Sequence, residues 1–199
     1  WKPEPIPFEA YSAAFAAQFF GISEPAVGEG LTLLARAQGD TLGGFTKARK
    51  MSYSNPKEQI PVMGKASDDE LAFWRTMKER AERGCILLRK NRALNNADYL
   101  KSHDLAARML VFAADLALQY RVTAEAIAAG KLDTKKEAET YAAFADRQRE
   151  LWKEYSATYE ATNRPVNLRY LVIAFDNSIK VLQAFAEELK HGKVSIPGN

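Results

Sequence analysis

A chain of 199 residues with 47% hydrophobic and 27% charged residues is long enough for a domain with a buried core. Its net charge of +3 comes from interleaved cations and anions, as in Lys135, Lys136, Glu137, Glu139, Asp146, Arg147, Arg149 and Glu150, which describes a solvated helix face and not a nucleic-acid footprint. No run is apolar enough for a membrane span, and the single Cys85 excludes an internal disulfide.

Ala, Leu, Glu, Lys and Arg dominate the second half, which is helix-forming composition. Strand-like alternation, internal repeats and low-complexity segments are not seen. The sequence begins at Trp1 with no Met and no signal-peptide pattern, so an excised or processed piece is expected, with any targeting signal already gone.

Residues 1–7, W-K-P-E-P-I-P, read as an extended, Pro-punctuated lead. A short helix is predicted over Phe8 to Phe20, stopped by Gly21, with Phe8, Tyr11, Phe15 and Phe19 on one face. Such an aromatic stripe is expected to be core. Ser23 is predicted to cap a second short helix with Pro25 in its first turn and Val27, Leu31, Leu34 and Ala35 inward.

From residue 39 to 66 the periodicity dissolves around Gly43-Gly44, Asn55-Pro56, Pro61 and Gly64, and a long loop is expected. Met51, Tyr53, Ile60, Val62 and Met63 would let it pack down. Ser67 and Glu70 form a capping box, and the helix behind them runs to about Asn91 with Leu71, Trp74, Met77, Ala81, Cys85 and Leu88 inward. Gly84 in that helix would let another helix approach closely.

Asn95-Asn96 breaks the chain. A helix follows over 97–129 with Leu105, Met109, Phe112, Leu116 and Tyr120 inward, and Gly130 ends it. Asp133 or Thr134 should cap the next helix, and Thr134 with Glu137 matches a second capping box. Tyr141, Phe144, Gln148, Leu151, Trp152, Tyr155 and Tyr159 share one of its faces. Asn163-Arg164-Pro165 turns the chain into a last helix that carries Leu168, Val172, Phe175, Ile179, Leu182, Ala186 and Leu189 and fades near His191. The expected fold is all-α, an antiparallel up-down bundle of about four long helices preceded by two short ones, in a single domain over 1–199.

No constellation announces chemistry. Asp69-Glu70 is a carboxylate pair that capping already explains. Glu188 and His191 have the Glu-x-x-His spacing of di-iron bundles, but His103 follows Leu100 and gives no second copy. Gly64-Lys65 lacks the rest of a phosphate loop. No catalytic residue, cofactor site or metal site is therefore assigned.

Two stretches carry a resemblance. The opening W-K-P-E-P-I-P-F-E-A-Y-S-A-A-F-A-A-Q-F-F-G resembles the passage that leaves the catalytic barrel in many bacterial glycoside hydrolases. L-W-K-E-Y-S-A-T-Y-E-A-T-N-R-P-V-N-L, with N-N-A-D-Y-L-K-S-H-D-L-A-A-R-M-L-V-F-A-A-D-L-A before it, is similar to the C-terminal helical region of family 20 glycoside hydrolases, the β-N-acetylhexosaminidases. Trp152, Asn163, Arg164, Pro165 and the Phe19-Phe20-Gly21 cluster carry most of the likeness, with the first four as a helix-junction motif.

The resemblance implies a non-catalytic C-terminal accessory domain whose parent keeps its catalytic Asp-Glu pair in an upstream barrel. It also implies docking on that barrel through Trp1, Phe8 and Tyr11, possible homo-oligomer contacts and a periplasmic or extracellular parent, while the charge pattern and hydropathy above lead us to expect no nucleic-acid or membrane partner. An exposed apolar patch near Trp1 and the first helix should then be found. The competing expectation is a free-standing bundle that binds a small ligand or protein partner in a cavity between the long helices, near Gly84 and Trp152.

Overall fold

The computed structural model of the protein describes residues 5–37, 43–162 and 168–193. The fold is all-α, and the described residues form helices α1 Phe8–Phe20, α2 Pro25–Ala37, α3 Gly43–Ser52, α4 Pro56–Gly64, α5 Asp68–Arg89, α6 Ala97–Ala128, α7 Thr134–Thr162 and α8 Leu168–Lys190. The last four are the expected long helices, of 22, 32, 29 and 23 residues. Trp1 and the Asn163-Arg164-Pro165 junction lie outside the described residues.

The segment 39–66, expected to be a loop, instead contains α3 and α4. Its apparent breakers serve as helix starts: Gly43 opens α3, and Pro56 takes the first position of α4 behind Asn55, whose side chain accepts the Lys57 N–H at 3.1 Å. Pro61 is held inside α4 because Ile60 and Met63 on either side of it are buried, so packing overrides a poor local propensity. Met51 is buried as well, whereas Val62 stays exposed.

The chain divides into two compact units, Trp1–Phe45 with Thr76–Val111 and Thr46–Arg75 with Phe112–Asn199. In the first unit α1 packs on α2 as a hairpin, turned by Gly21 at a φ of 68°. The fit is close at Gly28, where a Cβ would come within 2.7 Å of the Ala13 Cα. Gly84 behaves as its missing side chain suggests, since a Cβ there would lie 3.1 Å from both the Gly30 carbonyl oxygen and Leu34 Cγ. The Asn95-Asn96 break is used to finish α1: the N–H groups of Leu94 and Asn95 donate to the Phe20 carbonyl, and Asn96 Nδ2 donates to that of Phe19.

In the second unit α7 packs on α8. Ser67 caps α5 as expected, accepting the Glu70 N–H at 3.2 Å, but the Glu70 carboxylate pairs with Lys47 at 2.7 Å. At α7 the cap is Asp133, which accepts the Lys136 N–H at 3.1 Å. The expected Thr134–Glu137 box gives way because Glu137 turns inward, where Gln119 and Thr123 bond its carboxylate.

Candidate functional site

The aromatic stripe of α1 was expected to be core, and the structure turns it the other way. Ser12, Ala16 and Phe20 are the buried residues of this helix. A close approach to Gly28 needs a partner with almost no side chain, and only the Ser/Ala side of α1 offers one. Seating that side leaves Ile6, Phe8 and Tyr11 with 72%, 44% and 56% of their surface exposed. The rings of Phe8, Tyr11, Phe15 and Phe19 follow one another at centroid separations of 6.3, 6.3 and 4.9 Å, and Tyr99 on α6 continues the ladder at 5.6 Å from Phe19.

Beside the ladder opens a cleft of about 340 Å³. Phe8, Tyr11 and Phe15 form one wall, Leu31, Leu34 and Ala35 of α2 another, and His103, Ala106, Ala107 and Leu110 of α6 the remainder. The small side chains Ala106 and Ala107, set opposite large rings, leave the space open. Its size lies at the lower end of ligand pockets, roughly 300–1,000 Å³.

The polar groups on the cleft are the side chains of Ser12 and His103 and the phenol of Tyr11. His103 Nδ1 lies 2.7 Å from the Tyr99 carbonyl, which can only accept, so Nδ1 carries the proton and Nε2 is the acceptor of the neutral ring. Ala35, expected to point inward, is exposed and sits on the cleft wall.

Several charges in this unit are held in internal pairs. Arg36 of α2 bonds Glu9 of α1. Asp104 accepts from Arg89 Nε at 2.6 Å, Arg108 Nε at 3.0 Å and the Cys85 thiol at 2.8 Å. Burial opposes charge on Asp104, but the bonds from Arg89 and Cys85, with the positive charge of Arg89 and Arg108, hold its carboxyl below the ordinary value. Burial, and then the bond to Asp104, pushes the Cys85 thiol up to about 11, which keeps it protonated and poorly nucleophilic.

The second unit holds a buried polar cluster that the sequence did not announce. Tyr141 OH donates to Thr123 Oγ1 at 2.9 Å, Thr123 Oγ1 lies 2.9 Å from the Glu137 carboxylate, and Gln119 Nε2 donates to that carboxylate at 3.0 Å. Thr123 and Tyr141 are wholly buried and Glu137 nearly so, and burial pushes the Tyr141 hydroxyl up. Largely shielded from solvent, this cluster ties α6 to α7 and specifies their packing.

The other residues singled out from the sequence are dispersed. Asp69 is exposed at the start of α5, Glu188 pairs with Lys57 at 2.6 Å, and His191 lies 3.6 Å from Glu187. Gly64 offers its carbonyl to Arg121 at 2.7 Å. Trp152 is stacked on Phe175 at 4.3 Å, and a Cβ at Gly84 would meet Gly30 and Leu34 of α2. Among the described residues no group of three or more His, Cys, Asp and Glu could hold a metal ion, and no helix is long and apolar enough to cross a membrane.

Sequence reasoning placed Phe8 and Tyr11 together on the candidate surface. It missed Ser12, His103 and Ala106, which reach the cleft from two helices far apart in the chain. No family profile, curated protein or solved structure matches this chain.

Proposed function

We propose that this chain is a non-catalytic helical accessory domain of a carbohydrate-degrading, hexosaminidase-like glycoside hydrolase. It docks on the catalytic barrel of its parent protein through the outward edge of α1. The observation that carries this reading is the inverted helix: α1 hides Ser12 and Ala16 and displays Phe8 and Tyr11, with Ile6 exposed just before it. A contiguous aromatic edge of this kind is characteristic of a surface that another domain covers.

The resemblance of the opening segment and of the Trp152 region supplies the identity of the covering domain. The cleft also fits a binding role better than a catalytic one. Its lining is apolar apart from Ser12, His103 and the Tyr11 phenol, and the Cys85 thiol and Asp104 carboxylate of the same unit are engaged with each other and with two arginines.

Immunoblotting of source-cell extract with an antibody against this chain tests the proposal. A product far larger than 22.2 kDa is the expected result. A stable product near 22.2 kDa that is not a breakdown fragment would overturn it.

A further inference from the structure

We draw no further inference here: the strongest candidate, the buried side-chain cluster of the second unit in which Gln148 of α7 donates through Nε2 to the Ser52 carbonyl and to Ser178 Oγ of α8 at 2.7 Å each while its Oε1 accepts no hydrogen bond, carries nothing because nothing in the structure shows what would meet that oxygen.

Discussion

Two aromatic ladders are written into this chain at the same helical spacing, and the molecule treats them differently. On α7, Trp152 and Tyr155 lie 5.6 Å apart, Tyr159 follows at 5.9 Å, and α8 stacks Phe175 on Trp152 at 4.3 Å and beside Tyr155 at 5.9 Å. On α1, Phe8, Tyr11, Phe15 and Phe19 make a similar ladder, but α2 packs against the small-residue side of the helix. A three- and four-residue repeat therefore marks a face. Whether that face is core depends on which side of the helix a partner can approach most closely.

The contrast predicts its largest effect at Trp152. Trp152→Ala should destabilise the protein by about 3–5 kcal/mol in a chemical denaturation curve, because the ring is buried and its loss leaves a cavity against Phe175. Gly28→Ala comes next. The added Cβ meets the Ala13 backbone at 2.7 Å, so overpacking of about 1–3 kcal/mol should lower the melting temperature and loosen the seat that orients α1.

The pH dependence is smaller and has a definite sign. Asp104 is more acidic in the folded state than its ordinary value of 3.8, so its contribution is present above that value and lost as pH falls through it and below. Thermal melts below about pH 5 should therefore fall less steeply for Asp104→Asn than for the wild type. On the alkaline side the Cys85 thiol is raised from 9.0 to about 11, and burial raises Tyr53 from 10.0 to about 12. The unfolded chain releases these protons first, so stability should decline as pH rises past 9.0, where the unfolded thiol begins to ionise. The smallest effect belongs to the exposed ladder: Tyr11→Ser should change stability by no more than about 0.5 kcal/mol in the same denaturation assay.

Much of the architecture was legible in the sequence. Gly21 and Gly130 mark turns where φ is positive, Ser67 caps α5, and Leu71, Trp74, Met77, Ala81, Cys85 and Leu88 all point inward as their spacing requires. These features depend on neighbours within a few residues. The helices in 43–64 were hidden because their propensity is poor and their stability comes from burying Met51, Ile60 and Met63. Glu137 was misassigned to a cap because the buried partners that draw it inward, Gln119 and Thr123, sit on another helix. The cleft was illegible for the same reason. Phe8 and Tyr11 could be picked out as a surface, but Ser12, Leu31 and His103 acquire meaning only once three helices meet.

The central claim is that the aromatic edge of α1 is built to be covered by another domain. Hydroxyl-radical footprinting of Phe8 and Tyr11 tests it most directly, in the isolated 199-residue chain and in the product recovered from the source cell. The account predicts rapid oxidation of both rings in the isolated chain and strong protection in the native product, with Trp152 protected in each. Equal oxidation of Phe8 and Tyr11 in the two samples would contradict it.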